Sequence, residues 1–131
     1  FLKEAERLTM SIPGCVIVSG DTPKKERERI LEMFKVGEIP VVANVGVLTT
    51  GFDYPELDTV VMARPTMSLA MYYQIVGRCI RPHKDKEAAW FVDLCGNINR
   101  FGEVSDLHLK DTGNGKWAVF SRGRQLTNVR F

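Results

Sequence analysis

The sequence predicts an α/β fold: a parallel sheet with helices on both faces, followed by a short β extension at the C-terminal end. Short apolar runs alternate with amphipathic helical segments, which is the pattern of βαβ units. These runs are as apolar as strands that a parallel sheet buries on both faces. After Gly102 the alternation stops, and two strand-like runs flank the sequence Asp-Thr-Gly-Asn-Gly, which indicates a hairpin.

The predicted helices have recognisable ends. The first covers residues 1–8, and the second starts at Pro23 with Thr22 or Asp21 as its cap and ends at Gly37. The third begins after Ser68 and is stopped by Pro82. We expect one parallel sheet of four strands and a separate set of strands in the extension: 15–18, 41–45, 58–62 and 88–94, then 107–109, 117–120 and 125–131. Residues 1–102 are therefore assigned to the α/β domain and residues 103–131 to the extension.

The composition is that of a folded globular chain of 131 residues. Hydrophobic residues make up 44% and charged residues 26%, which argues against a disordered chain. The net charge is only +2, so affinity for nucleic acid must come from local placement of charge. No apolar run approaches the roughly 20 residues of a membrane span. Three scattered cysteines without CxxC spacing and two histidines favour neither a disulfide framework nor a metal site, and they indicate a reducing, cytoplasmic environment.

The clearest chemical signal is the segment Gln-Ile-Val-Gly-Arg-Cys-Ile-Arg at residues 74–81. At helical spacing four of its residues form one polar stripe: Gln74, Gly77, Arg78 and Arg81. A glycine inside a helix costs about 1 kcal/mol relative to alanine, which suggests that a large group lies against this face. Two guanidinium groups and an amide suit a polyphosphate. The alternative is a solvated helix face with two incidental arginines.

A second signal is Gly51-Phe52-Asp53, close after the strand predicted at 41–45. Loops at the carboxyl ends of parallel strands are where α/β sheets bind ligands. Glycine permits close approach of the backbone, and a carboxylate accepts hydrogen bonds from ribose hydroxyls. For so short a pattern an ordinary turn is the simpler alternative.

Together these segments resemble the superfamily 2 helicases. Residues 45–55 resemble motif V of that superfamily, and residues 74–81 match the QxxGRxxR form of its motif VI. A predicted strand separates them, as it does in the family, and residues 19–23 resemble the segment that precedes motif V. The resemblance runs from Phe1 to about Gly102 and covers the second, RecA-like motor domain only.

Particular positions narrow the resemblance to one branch. Gln74 stands where DEAD-box proteins carry histidine, and Ile80 where DEAH and viral helicases carry glycine. With residues 44–53 and 93–97, these positions make the chain look most like bacterial RadD/YejH-type DNA-repair helicases and their restriction-motor relatives.

The resemblance implies the second motor domain of an ATP-dependent helicase or translocase, an ATP hydrolase. ATP with Mg²⁺ would lie between this domain and a first RecA-like domain of the same parent chain. Arg78 and Arg81 would be arginine fingers that stabilise charge on the transferred phosphoryl group, and Gln74 would sense the γ-phosphate or position water. Gly51 and Asp53 would lie near the ribose.

Three parts of such a motor are absent from the sequence. It has no Gly-x-x-x-x-Gly-Lys-Ser/Thr loop and no Asp-Glu-Ala-His-like box, so the phosphate cradle and metal ligands are expected in the first domain. The family's strand before the first helix is missing too. We therefore expect the isolated chain to be inactive as an ATPase. The rival hypothesis is a non-catalytic nucleic-acid-binding or regulatory module that kept the fold.

The resemblance also implies nucleic-acid contacts, with DNA favoured over RNA. The candidate residues lie at strand ends and in loops: Gly20, Asp21, Lys24, Arg27, Asn44 and Thr49. For the charged helix at 24–29 we favour a solvated face, because glutamates interleave with its basic residues. The basic, aromatic segment 113–131 suits stacking on single-stranded DNA, but we favour docking of its aromatic residues on the core.

Overall fold

The computed structural model describes residues 2–48 and 52–129. The chain divides into two compact units, residues 1–54 and residues 55–131. In the first unit the elements are α1 (Leu2–Ser11), β1 (Cys15–Val18), α2 (Lys24–Lys35) and β2 (Val41–Asn44). In the second they are β3 (Thr59–Met62), α3 (Leu69–Cys79), β4 (Trp90–Asp93), α4 (Asn97–Phe101), a 3-10 turn (Val104–Asp106), β5 (His108–Gly113), β6 (Lys116–Ser121) and β7 (Arg124–Val129).

The first unit packs α2 against a parallel pair of strands. β1 and β2 run side by side, with Val18 opposite Asn44. Val18, Ile30 and Ile39 are buried together and form its core. Ile30 lies on the apolar face of this amphipathic helix.

The caps of α2 differ from those predicted. Pro23 occupies the N-cap position, and no side chain caps the helix. Thr22 instead uses its hydroxyl to accept a hydrogen bond from the backbone N–H of Ser19, at 3.0 Å, so it stabilises the preceding turn. At the other end Val36 is the C-cap, and Gly37 follows it with a φ of +81°, the left-handed conformation that favours glycine after a helix.

The second unit has its core under α3. Four buried side chains form it: Met62, Tyr72, Val76 and Phe101. The Tyr72 ring stacks on Phe101, and its hydroxyl donates a hydrogen bond of 2.8 Å to the carbonyl oxygen of Gly102. Because the hydroxyl is satisfied, the ring can be buried at little cost. Burial, together with the negative charges of Asp93 and Glu103, raises the pKa of this phenol.

All four predicted core strands are present, and they pair in parallel. Among the described residues they pair two by two, β1 with β2 and β3 with β4, whereas one sheet of four strands was expected. Burial on both faces is not observed for β3 and β4. Met62 lies on the face that α3 covers, whereas Val61 is 54% exposed and Trp90 is 65% exposed on the opposite face. Successive side chains of a strand point to opposite faces, so one covering helix protects only every second residue.

The predicted β extension is confirmed as an antiparallel sheet of three strands, in the order β5–β6–β7. The predicted hairpin turns at Asn114 and Gly115, which both have positive φ, as a two-residue turn between twisted strands requires. Leu126 packs against the core cluster of the second unit, so the extension docks through this aliphatic side chain. Trp117 stays 38% exposed. The boundary between Gly102 and Glu103 remains a prediction.

No helix in the described ranges is both long enough and apolar enough to cross a membrane.

Candidate nucleotide and nucleic-acid sites

Helix α3 carries the clearest candidate residues, and its start is well defined. The Ser68 hydroxyl accepts a hydrogen bond of 3.2 Å from the backbone N–H of Met71, so the predicted N-cap is confirmed. Tyr72, Val76 and Cys79 are buried at helical spacing. Burial also raises the pKa of the Cys79 thiol. One face of α3 is therefore fixed by packing.

The opposite face of α3 is open. The side chain of Gln74 is exposed, and that of Arg78 is half-buried. A Cβ built on Gly77 would meet nothing within 4 Å. Nothing in the described chain therefore explains a glycine here, although glycine costs the helix about 1 kcal/mol.

Arg81 does not continue the helical stripe, contrary to the sequence interpretation. The helix ends at Cys79, with Ile80 as its C-cap, and Arg81 lies in the loop that follows. The physical reason is Pro82, whose ring disfavours helical backbone at the residue before it. The direction of Arg81 is therefore set by the loop after α3 rather than by helical periodicity.

Lys86 holds the end of α3. Its ammonium donates hydrogen bonds to three backbone carbonyls: Cys79 at 2.8 Å, Pro55 at 2.9 Å and Leu57 at 3.0 Å. Leu57 lies two residues before β3, so α3 ends at the edge where β3 begins.

The start of α3 is positioned by a buried network that the sequence reasoning missed. Asn97 is fully buried; its amide oxygen accepts from the Thr66 N–H at 2.9 Å, and its amide nitrogen donates to the Arg64 carbonyl at 3.0 Å. Thr66 in turn accepts, through its hydroxyl, a hydrogen bond of 3.0 Å from the N–H of Ser68. The network thus fixes the residue that caps α3.

Asp93 completes this network at the end of β4. Partial burial opposes its ionisation, but hydrogen bonds from the N–H groups of Ile98 and Cys95 and from the Asn97 amide outweigh burial and lower its pKa. The Ile98 bond is 2.8 Å and the Asn97 bond 2.9 Å. In the sequence, Asp93 and Asn97 contribute only to the resemblance at residues 93–97. An Asp-x-x-Gly-Asn pattern directly after a strand was the signal available.

Three of the candidate nucleic-acid residues, Gly20, Asp21 and Asn44, lie at one edge of the β1–β2 pair. The register of β1 and β2 brings the loops after Val18 and Asn44 together, and the N–H of Val45 donates to the Val18 carbonyl at 2.9 Å. Gly20 and Asp21 are exposed in the first of these loops. In the second, the Asn44 side-chain oxygen accepts from two backbone N–H groups, those of Val47 and Leu48, each at 3.0 Å. Asn44 therefore shapes its own loop.

Lys24 and Arg27 differ in their environments. The Lys24 side chain is 88% exposed and 4.0 Å from Glu28, which fits a solvated surface. Arg27 is half-buried and donates to the Thr22 carbonyl at 3.3 Å. It also lines a groove of about 390 Å³ together with Asp53.

Aromatic side chains place Asp53 beside this groove. The Tyr54 ring contacts Phe34 and Phe52 edge to face, and its hydroxyl donates to the Lys35 carbonyl at 3.2 Å. The segment at 52–54 is thereby attached to α2. Two candidate residues, Thr49 and Gly51, lie outside the described residues. Within those residues no group of three or more His, Cys, Asp or Glu side chains is arranged to hold a metal ion.

Comparison with known proteins decides the family. The model for the helicase conserved C-terminal domain matches residues 2–83. The chain belongs to this family. The C-terminal domain of the DEAD-box protein Dbp5 has a similar structure, with a TM-score of 0.52 and 26% identity, over 72% of this chain and 56% of that one. The RecA-like α/β fold is thereby confirmed.

Relatives of this helicase C-terminal domain are much longer proteins. It is 38% identical to the "Putative ATP-dependent helicase IRC3" of Saccharomyces cerevisiae over 79 residues, which are 60% of this chain and 12% of the relative. It is 32% identical to the ATP-dependent RNA helicase DBP3 of Gibberella zeae over 95 residues, which are 70% of this chain and 16% of the relative. The chain thus spans a small part of each. The matches include an RNA helicase, and the RadD/YejH-type assignment remains a hypothesis.

Proposed function

We propose that this chain is the second motor domain of an ATP-dependent superfamily 2 helicase or translocase. It closes on a first RecA-like domain of the same parent chain and supplies groups to ATP hydrolysis at their interface. Residues 1–102 are the motor domain, and residues 103–131 are an extension. The parent works in the cytoplasm.

The open face of α3 carries this proposal. Packing and a cap fix the helix, yet Gln74 is exposed and Gly77 leaves room for close approach. A nucleotide phosphate chain fits such a face, because an arginine fork and an amide offer several donors to charged oxygens. Arg78 and Arg81 act as arginine fingers, and Gln74 senses the γ-phosphate or orients the attacking water.

The remaining nucleotide contacts come from the segment before β3. Asp53 accepts hydrogen bonds from the ribose, and Gly51 allows the backbone to approach it. Magnesium neutralises developing charge on the phosphates when ATP is bound. Its ligands are proposed to lie in the first domain, on the basis of the resemblance to superfamily 2 helicases.

Nucleic acid binds at the edge where β1 and β2 end. The proposed contacts are Gly20, Asp21, Lys24, Arg27, Asn44 and Thr49. The shared edge of the two loops and the half-exposed Arg27 support this placement. DNA is the proposed substrate, on the basis of the RadD/YejH-type resemblance at Gln74 and Ile80.

The test is the kinetics of Arg81→Ala in the full-length parent. A donor used mainly in the transition state lowers kcat rather than ATP affinity, so DNA-stimulated kcat should fall by ~10²-fold or more, with KM for ATP within several-fold. Arg81→Lys should restore little, because an ammonium cannot reproduce the planar guanidinium fork.

Arg7→Ala is the matched control, since Arg7 is an exposed arginine of α1 outside the proposed sites. It should leave kcat unchanged. Thermal melting should show that both alanine variants fold. A normal kcat in Arg81→Ala would reject the arginine finger and favour the rival hypothesis of a non-catalytic module.

A further inference from the structure

The ammonium group of Lys86 is fully used inside the second unit. Its three hydrogen bonds, of 2.8 to 3.0 Å, match the three N–H donors that a lysine has. All three acceptors are backbone carbonyl oxygens. The half-buried ammonium group therefore connects three backbone positions, Cys79, Pro55 and Leu57, instead of acting as a surface charge.

One of these bonds closes the loop after α3 on itself. The acceptor at Cys79 is the last residue of the helix, so the bond joins the two ends of the segment 79–86. Arg81 lies within this closed segment. A backbone hydrogen bond of 3.1 Å from Lys86 to the His83 carbonyl tightens the same loop. Closing a short loop reduces its conformational freedom, so the backbone position of Arg81 is restricted.

The other two bonds reach the chain before β3. Pro55 and Leu57 follow Asp53 by two and four residues. His83 makes a second contact between the same two segments, because its Nε2 lies 3.6 Å from a carboxylate oxygen of Glu56. Lys86 therefore connects the end of α3, which carries the motif VI-like sequence, to residues 55–57 at the end of the motif V-like sequence.

We propose that Lys86 is a positioning residue for the nucleotide site, acting through Arg81. This rests on the proposed function of Arg81 as an arginine finger. Lys86 fixes the loop that carries Arg81 to both the end of α3 and the start of β3. Lysine suits the task because its three donors diverge from one point, whereas the planar fork of arginine aims its donors in one plane.

The test is a double-mutant cycle in the full-length parent with Lys86→Met and Arg81→Ala. Methionine keeps an unbranched side chain as far as the Cε position and removes the ammonium donors. We expect Lys86→Met to lower nucleic-acid-stimulated kcat by roughly ten-fold, since a misplaced catalytic group costs rate. In the Arg81→Ala background it should change kcat by less than about two-fold, because the residue it positions is gone. Lys84→Met, at an exposed position of the same loop, should leave kcat unchanged.

Each outcome separates the hypotheses. If Lys86→Met lowers kcat equally in both backgrounds, Lys86 is only structural and the positioning role is rejected while the arginine finger stands. If Arg81→Ala has a normal kcat, the proposed function fails and the role of Lys86 fails with it. Should Lys86→Met not fold, Lys86→Arg replaces it in the same cycle. A loss of kcat of about three-fold or more that disappears beside Arg81→Ala supports the role, and a normal kcat rejects it.

Discussion

The two faces of α3 are built on opposite principles. The inner face buries Tyr72, Val76 and Cys79, and the Tyr72 hydroxyl donates a hydrogen bond to the Gly102 carbonyl oxygen. The outer face carries an exposed Gln74 and a glycine with open space above it. The inner face adds stability, whereas the outer face gives some up by placing Gly77 within a helix.

The two faces of α3 therefore carry residues with different roles. Side chains that hold α3 from within should change unfolding free energy when they are altered. Side chains on the outer face should change catalysis and leave folding intact. The buried network around Asn97 and the open position at Gly77 are the strongest representatives of the two classes.

Asn97→Ala should give the largest loss of stability. The substitution leaves the Thr66 N–H and the Arg64 carbonyl without their buried partner and opens a small cavity. We expect the free energy of unfolding to fall by about 3 kcal/mol, since each unsatisfied buried group costs on the order of 1–3 kcal/mol. Urea unfolding of the parent measures it.

Asn99→Ala is the matched control, because Asn99 lies on the same short helix with an exposed side chain. It should change stability by less than about 0.5 kcal/mol, as usual for surface sites. Equal effects of the two alanine variants would show that the buried network does not hold the start of α3.

Asp93→Asn should lower the free energy of unfolding by a smaller amount, and this loss should depend on pH. The new amide group turns a donor toward groups that are themselves donors, at a cost of about 2 kcal/mol near neutral pH. Because the pKa of Asp93 is lowered on folding, its carboxylate stabilises the fold above the unfolded pKa, near 4. This stabilisation is lost as pH falls through the folded pKa.

The difference in unfolding free energy between wild type and Asp93→Asn should therefore be constant from about pH 6 to 8 and shrink below about pH 4. Glu87→Gln, which removes an exposed carboxylate of the same unit, should show no such trend. A difference that stays constant into the acid range would contradict the assignment of the stabilisation to ionised Asp93.

The sequence predicted the elements well and their burial less well. Apolar runs correctly located β1 to β4, and Ser68 located the start of α3, because both signals are local. Exposure of Val61 and Trp90 was not predicted, because a run of apolar residues does not tell which face a helix covers. The short helix α4 was also missed, since its five residues are too few for a periodic pattern.

In the candidate site, too, some positions were predicted from the sequence and others were not. Periodicity correctly grouped Gln74, Gly77 and Arg78 on one helix. It misplaced Arg81, because Pro82 ends the helix earlier than the pattern suggests. The role of Lys86 was not predicted, because its three acceptors are backbone carbonyls and two of them are about 30 residues away in sequence. Backbone acceptors leave no residue-specific mark in a sequence.

Gly77→Ala in the full-length parent tests whether the outer face of α3 meets the nucleotide during catalysis. Alanine suits a helix better than glycine, so the free energy of unfolding should stay level or rise by about 0.5–1 kcal/mol. If the outer face meets the nucleotide, the added methyl group should lower nucleic-acid-stimulated kcat roughly ten-fold or more. A variant that is at least as stable as wild type but slow is the predicted result. A Gly77→Ala protein with wild-type kcat would contradict the proposed nucleotide contact, because nothing would then approach the outer face of α3 during catalysis.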